Sequence, residues 1–209
     1  MRKLIVSIHS TANDIVTGPP TGDETEWTWA GAGIQESLDS FWSLLADVDT
    51  IVLGHATYDD LVRKWPNFSG GPDVSEVLQR IADKVNTTPK LVATRSGTAG
   101  PLPWGRYEPA AWLAGADVTD RVADLKSGPG GSIVTFGSPT LVQSLTNARL
   151  VDEYRILVHP VIMHEGRRLF DHLDGRTDLR VADTEVFPCG AMSITYVPES
   201  ARPDPAGRA

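Results

Sequence analysis

The sequence has little cysteine and no long apolar run. Cys189 is the single cysteine among 209 residues, so an internal disulfide is impossible and a thiolate metal site is not indicated. In the amino-terminal stretch MRKLIVSIHS, Ser7 and His9 interrupt the apolar run. The run is therefore shorter than the apolar core of a secretion signal. No stretch reaches the roughly 18 apolar residues of a membrane-spanning helix. These absences predict a cytoplasmic protein that does not cross a membrane.

Positive charge is also scarce. Nineteen Lys and Arg residues stand against 27 Asp and Glu residues, which gives a formal net charge of −8. Such a balance argues against a protein that wraps nucleic acid or coats an anionic membrane. It leaves room for one local basic pocket that holds a phosphate. With 41% hydrophobic residues, the composition is that of a globular domain with a sizeable core.

Strand patterns and helix patterns alternate over the first 150 residues. Buried strands are predicted at KLIVSIHS, DTIVLG, KLVAT and SIVTF, and a helix is predicted before or after each of them. Asp73 is expected to cap one helix with Glu76 as its partner, Asp117 to cap another, and Pro139 to open a third. Residues 95–112 are expected to be rich in turns. From Val151 onward only strands are indicated, and the last two resemble an antiparallel pair.

This order predicts one α/β domain over residues 1–198, followed by a flexible tail at 199–209. A mixed, mostly parallel sheet would carry helices on both faces and end in an antiparallel hairpin. Residues 11–32 form a long loop between the first strand and the first helix. A loop of that length in a compact domain is usually functional or disordered.

Two turns share one design. TIVLGHATYDDLV and SIVTFGSPTLVQSL each contain a buried strand, then Gly54 or Gly137, then the start of a helix. Ligands of open α/β sheets bind beyond the carboxyl ends of the strands, where the first turn of a helix offers free N–H groups to a phosphate. Each turn alone is also explained by strand-to-helix geometry, with Ser138 as the cap and Pro139 at the first helical position.

Three segments resemble the dihydrofolate reductase-like superfamily. DTIVLGHATYDDL is similar to the segment "VDtlllGRkTYe" of that superfamily, and IVTFGSPTLVQSL is similar to its segment "i.v.GG..l...L". LVDEYRILVHPVIMHEGRRLF resembles "liDEy.l.v.PvllG.G..LF" of the branch that includes the C-terminal reductase domain of the riboflavin-pathway enzyme RibD. The segments occur in the order of the family, and the resemblance extends from Met1 to Pro198.

The resemblance implies a dihydrofolate reductase-like fold, NADPH as cofactor, and hydride transfer to a small flat heterocycle of the pterin or pyrimidine kind. Carried over by position, the cofactor contacts fall on three segments. The first two would hold the pyrophosphate and its surroundings, and the third would border the adenosine 2′-phosphate. They are Gly54, His55, Ala56 and Thr57; Gly137, Ser138, Pro139 and Thr140; and Thr94, Arg95 and Ser96.

The sequence differs from the family at two positions that the resemblance assigns to cofactor contacts. His55 stands where the family has Arg, which carries a permanent charge and can grip a phosphate with two hydrogen bonds. Gly137-Ser138 stands where the family has Gly-Gly, a pair that often carries a cis peptide bond. Ser138 is therefore expected either to strain that backbone path or to take a different one.

The sequence departs at the substrate as well. Where the branch has "SLDG", this chain has Thr11-Ala12-Asn13-Asp14, so the family carboxylate falls on Asn13 and Asp14 follows it. An amide cannot exchange a proton as a carboxyl does, which leaves Asp14 or a bound water as proton donor. Trp27 and Trp29 would either stack on a flat ligand or pin the long loop to the core.

Three functions stay open at this point. The first is an NADPH-dependent reductase, and the second is a ligand-binding protein of the same fold with weakened catalysis. The third is a dimeric interaction protein that uses the apolar strand EYRILVHPVIM, as in family members that form dimers. A homodimer is expected in any case. A metal site is not expected, because the spacing of His159, His164, Glu165 and His172 matches no ligand motif.

Overall fold

The structure is a computed structural model that describes residues 1–18, 35–68, 70, 74–94, 100–113 and 117–199. Trp27, Trp29, Asp73, Arg95 and Ser96 lie outside these residues, as does the predicted tail from residue 200 onward. The described helices are α1 (Gln35–Leu45), α2 (His55–Lys64), α3 (Glu76–Thr87), α4 (Val118–Ser127) and α5 (Pro139–Asn147). None of these helices is long and apolar enough to cross a membrane.

The described strands form two sheets. They are β1 (Leu4–Thr11), β2 (Ile15–Thr17), β3 (Val48–Gly54), β4 (Lys90–Ala93), β5 (Leu102–Trp104), β6 (Tyr107–Leu113), β7 (Ser132–Thr135), β8 (Glu153–His159), β9 (Arg167–Arg168), β10 (Leu179–Val186) and β11 (Met192–Pro198). Nine of them make one sheet in the order β10-β11-β8-β1-β7-β3-β4-β6-β5, while β2 and β9 make a separate pair.

The nine-stranded sheet is parallel in its middle and antiparallel at its margins. The neighbours from β8 through β1, β7, β3 and β4 to β6 are parallel, whereas β5, β10 and β11 pair antiparallel. The mixed, mostly parallel sheet and its carboxyl-terminal hairpin confirm the fold predicted from the alternating patterns.

Alternating side chains of the central strands build a core on each face of the sheet. Leu4 and Val6 of β1 pack with Val122 of α4 and Leu145 of α5. The intervening Ile5 belongs to the opposite cluster, with Leu38 and Leu45 of α1 and Ile81 of α3. Because successive residues of a strand point to opposite faces, one buried strand serves both layers.

Two strands lie in the segment that the sequence predicts as turns. β5 and β6 form an antiparallel pair at the edge of the sheet, so that prediction was wrong. Pro103 and Pro109 obscure the strand pattern. Pro103 lies in the edge strand β5, where proline is tolerated because fewer backbone N–H groups need partners. β2 and β9, of three and two residues, are too short to show a periodic pattern.

The amino end of α3 also differs from the prediction. Ser75 rather than Asp73 precedes the helix, and its hydroxyl accepts the N–H of Leu78 at 3.3 Å. Asp117 does cap α4, accepting the N–H of Thr119 at 2.8 Å. Serine and aspartate are equally good caps, so the composition of this stretch does not choose between Asp73 and Ser75.

The apolar strand considered as an interface is an interior strand. β8 pairs with β1 on one side and with β11 on the other, and it ends at His159 before Pro160. Exposed apolar side chains include Ile162, in the loop after β8, and Val181, Val186 and Met192 on the hairpin. β8 is therefore not a free edge, and the homodimer stays a prediction.

Candidate functional site

The two glycine turns contact each other directly. β3 and β7 are neighbouring parallel strands with Ile51 opposite Val134, so the turns that follow them meet at one edge of the sheet. The backbone N–H of Gly54 donates to the carbonyl oxygen of Gly137 at 2.9 Å. Both glycines therefore lie at the carboxyl ends of neighbouring parallel strands.

Gly54 is required by the packing of one turn on the other. A Cβ atom at this position would lie 2.4 Å from Ser138 Oγ and 2.9 Å from the Ser138 backbone nitrogen. Both distances are shorter than a carbon atom tolerates, and the second involves backbone that cannot rotate away. Contact between the turns is thus sufficient to explain this glycine, with no ligand involved.

Gly137 adopts a backbone conformation that suits glycine. Its φ is 110°, and the peptide bond to Ser138 is cis. The chain therefore follows the path that the resemblance associates with Gly-Gly, although serine occupies the second position. Of the two alternatives expected at Ser138, the structure shows the same backbone path rather than a different one. A Cβ on Gly137 would lie 3.4 Å from Thr57 Oγ1, which places Gly137 against the first turn of α2.

The helices that begin at these turns have free amino ends. Among the described residues, no side chain caps α2 or α5, and neither helix has an acidic residue in its first turn. α3 and α4, in contrast, have both a side-chain cap and an acidic residue there. Unpaired N–H groups and the positive ends of two helix dipoles therefore converge at the junction, and such an environment suits a phosphate.

Pro139 and Ser138 have different structural roles at the start of α5. Pro139 occupies the first helical position as predicted, where its missing N–H has no consequence. Ser138 precedes it, but its hydroxyl makes no cap hydrogen bond and instead stands beside Gly54. The first backbone N–H donors of the two helices are therefore those of His55, Ala56 and Thr57 on α2 and of Thr140 on α5.

Thr94 lies at the same edge of the sheet. Ala93, the last residue of β4, is paired with Gly54, and the half-buried Thr94 follows it. Thr94 therefore sits one strand away from the first glycine turn. Arg95 and Ser96 continue from it outside the described residues, so their predicted roles stay predictions.

His55 is exposed at the start of α2. Its Nε2 lies 3.8 Å from an Asp59 carboxylate oxygen one turn further along. Its ring stacks on Tyr58 with 6.4 Å between centroids and meets Trp112 edge-on at 5.3 Å. His55 is thus placed at the amino end of a helix, but an aromatic pair and a carboxylate share its surroundings.

Asn13 is committed to holding two loops together. Its Oδ1 accepts the Thr11 hydroxyl at 2.9 Å and the N–H of Met163 at 3.2 Å, and its Nδ2 donates to the carbonyl of Met163 at 2.7 Å. An amide with these three bonds is a structural link between the end of β1 and the loop after β8. The structure therefore favours a positioning role for Asn13 over direct catalysis.

Asp14 occupies the position where the resemblance has glycine, and its φ of 66° is left-handed. The β2–β9 pair brings its carboxyl beside residues 168–171. Burial raises the pKa of Asp14, and the negative charge of Asp171 acts in the same direction. The charge of Arg168 lowers this pKa in part. A carboxyl group with a raised pKa is better suited to proton transfer near neutral pH.

His9 makes a partly buried contact with a second histidine that the sequence does not predict. His9 Nδ1 lies 2.9 Å from His159 Nε2, and the two rings are stacked with 5.1 Å between centroids. In the sequence, the feature that marks His9 is its position as a histidine within the apolar run LIVSIHS. His164, in contrast, is exposed beside Glu165. Across the described residues, no cluster of three or more potential metal ligands is present.

Comparison with known proteins agrees with this architecture. The family model of the RibD C-terminal domain matches residues 20–193. The uncharacterized protein YyaP of Bacillus subtilis (strain 168) is 26% identical over 195 residues, which cover 93% of this chain and 94% of that protein.

Solved structures share the fold at lower identity. A putative riboflavin biosynthesis protein from Shewanella sp. PV-4 superposes with a TM-score of 0.71 at 19% identity, covering 95% of this chain and 99% of that one. Dihydrofolate reductase from Enterococcus faecalis, complexed with NADP(H), gives a TM-score of 0.51 at 14% identity, with coverage of 95% and 97%. These likenesses show a dihydrofolate reductase-like fold.

Proposed function

This chain belongs to the RibD C-terminal domain family, and on that premise we propose that it is an NADPH-dependent reductase of a small flat heterocycle. The observation that carries the proposal is the junction of the glycine turns, where Gly54 donates to Gly137 at 2.9 Å. This contact brings two uncapped helix ends to one point at the carboxyl edge of the sheet. Two such ends can share one pyrophosphate.

The residues at the junction fit the phosphate groups of the cofactor. The N–H groups of Ala56 and Thr57 on α2 and of Thr140 on α5 would donate to the pyrophosphate, together with the Thr57 hydroxyl. Thr94, Arg95 and Ser96 would border the 2′-phosphate, and His55 would contribute a contact in its protonated form. Bound NADPH would supply the hydride, and the chain would position it and exclude water.

The proton that accompanies reduction is assigned to Asp14 or to a water beside it. Its raised pKa and its place at the end of β1 support this role. Trp27 and Trp29 are proposed to stack on the heterocycle, since aromatic faces bind flat rings. Asn13 would act indirectly, by fixing the loop that carries Asp14.

A second candidate is a ligand-binding protein without turnover. It is favoured by the locked amide of Asn13, which stands at the carboxylate position of the family and cannot exchange a proton. The two candidates predict the same cofactor binding. They differ in the oxidation of NADPH, which only the reductase would perform.

Titration calorimetry with NADPH and NADH tests the proposal. Wild type should bind NADPH, and His55→Arg should bind it more tightly by about 10-fold or more, because one charge-assisted hydrogen bond is worth roughly 1.5–3 kcal/mol. His164→Arg is the matched control, since His164 is an exposed histidine on the loop after β8. Unchanged affinity in His55→Arg, or a wild type that does not bind NADPH, would contradict the proposed cofactor site.

Loss of NADPH absorbance in the presence of dihydrofolate then separates the two candidates. A reductase should show turnover that rises with the tighter cofactor binding of His55→Arg. If wild type and His55→Arg both bind NADPH and neither oxidises it, the second candidate is supported.

A further inference from the structure

His9 follows Ile8 on β1 and points to the opposite face of the sheet from Ile8, which lies beside the glycine junction. Ile8 Cδ1 stands 3.7 Å from the position of a Cβ atom on Gly137. Because side chains alternate along β1, His9 points to the face of Ile5, which packs with Leu38 of α1. His9 is half-buried, so part of the residue remains accessible.

The buried His159 contacts the inner side of the His9 ring. Nδ1 of His9 and Nε2 of His159 are 2.9 Å apart, with 19° between the ring planes. His159 is only 1% exposed, whereas His9 is half-buried, so the pair is reached from outside through His9. Within the described residues, no hydrogen bond involves Nε2 of His9. That outer nitrogen is therefore the one that a ligand on this face can meet.

Both rings are neutral at neutral pH. Burial lowers the pKa of His9 to about 4, with the charge of His159 adding to the effect. Burial also lowers the pKa of His159. A neutral His9 has no extra proton to deliver, so the pair is unsuited to act as a general acid at neutral pH. It is suited to forming hydrogen bonds.

A neutral pair of this kind can present either hydrogen-bonding character. When His159 donates to Nδ1 of His9, the outer Nε2 carries a proton and donates. When His9 donates to His159, the outer Nε2 accepts. The outer nitrogen reverses its character, with both rings still neutral, when both rings exchange tautomers.

We infer that His9 is a recognition residue whose Nε2 hydrogen-bonds the edge of the heterocyclic ligand, and that His159 is the positioning residue that orients its ring. The inference rests on the proposed function for the class of ligand. Pterins and pyrimidines carry adjacent carbonyl and N–H groups on one edge, so they can bind either tautomer of the pair. Asn13, the polar side chain at the end of the same strand, is already engaged with Met163 and Thr11.

The test uses two amides that replace different nitrogens of His9. His9→Asn retains a polar group near Nδ1, which meets His159, and removes the outer nitrogen. His9→Gln places its amide near the outer Nε2. With pterin and uracil as probes, calorimetry at neutral pH should show about a 10-fold loss of affinity in His9→Asn, the effect of one hydrogen bond. His9→Gln should recover most of it.

Nitrogen NMR of histidine-labelled protein supplies a readout that a structural role would not move. Addition of pterin should shift the His9 ring nitrogens, assigned by their loss in His9→Asn, and should shift those of His159 through the shared proton. NADPH alone should leave the tautomer of the pair unchanged. Circular dichroism and thermal melting establish that each variant is folded.

The outcomes separate this inference from the proposed function. If NADPH fails to bind but pterin binds through His9, the reductase function falls and the inference stands. If NADPH binds while His9→Asn holds both probes as tightly as wild type, the inference is overturned and the reductase function stands. A wild type that binds neither probe also overturns it. If both His9 variants unfold, pterin binding without any shift of the His9 or His159 ring nitrogens in wild type overturns it.

Discussion

Gly54→Ala should destabilise the protein by forcing the two glycine turns apart. The new methyl group would meet Ser138 Oγ at 2.4 Å and the Ser138 backbone nitrogen at 2.9 Å. The hydroxyl can rotate away, but the backbone nitrogen cannot. Overpacking of this kind costs about 1–3 kcal/mol. For a chain of 209 residues, each kcal/mol lowers the melting temperature by roughly 2–4 °C, so a decrease of roughly 2–12 °C is expected.

Thermal and urea unfolding of a double-mutant cycle test the origin of this loss. Ser138→Gly removes the hydroxyl and the Cβ atom but leaves the backbone nitrogen, so Gly54→Ala/Ser138→Gly should recover only part of the stability. A coupling energy of about 0.5 kcal/mol or more is expected for residues in contact. Gly175→Ala is the control, because a Cβ there meets nothing within 4 Å. If Gly54→Ala were as stable as Gly175→Ala, the turns would not pack as described.

Three further predictions concern individual side chains. Burial lowers the pKa of Lys90 to about 8. Above that pH the unfolded chain binds more protons than the folded protein, because Lys90 keeps its ordinary pKa only when unfolded. The free energy of unfolding should therefore rise by about 1–2 kcal/mol between pH 8 and 9.5. Lys90→Met should abolish that rise in urea unfolding. Asp14→Asn should lower the rate of NADPH oxidation by at least about 100-fold while NADPH affinity stays constant; equal rates would remove Asp14 from proton transfer. Arg95→Ala should weaken NADPH by about 1.5–3 kcal/mol and NADH much less by calorimetry, and equal losses would exclude a 2′-phosphate contact.

The fold was accessible from the sequence because its central strands are strongly patterned. β1, β3, β4 and β7 are short apolar segments bounded by turn residues, and the helices between them keep a regular apolar face. The order of these elements leaves few sheet topologies, since parallel strands need crossover connections. β5, β6 and the β2–β9 pair escaped prediction because prolines or short length hide their pairing, which is decided by a neighbouring strand.

The candidate site was predictable only in part. Gly54 and Gly137 could be assigned to one edge from the strand-turn-helix pattern, and the family resemblance added the segment after β4. The hydrogen bond between the turns is encoded in neither segment alone, because it requires β3 and β7 to be adjacent although more than 70 residues separate them. The role of Asn13 was likewise hidden, since its partners lie on the loop after β8.

The sequence by itself determined the class of fold, the order of its central elements and the two turns that the proposed cofactor site uses. Those properties follow from local patterns, in which each strand or turn is specified by residues close to it. Tertiary structure alone decided which polar groups meet. His9 and His159 are 150 positions apart, and only the parallel pairing of β1 with β8 brings their rings within hydrogen-bonding distance. Contacts of that range depend on strand order and register, which no short stretch of sequence encodes.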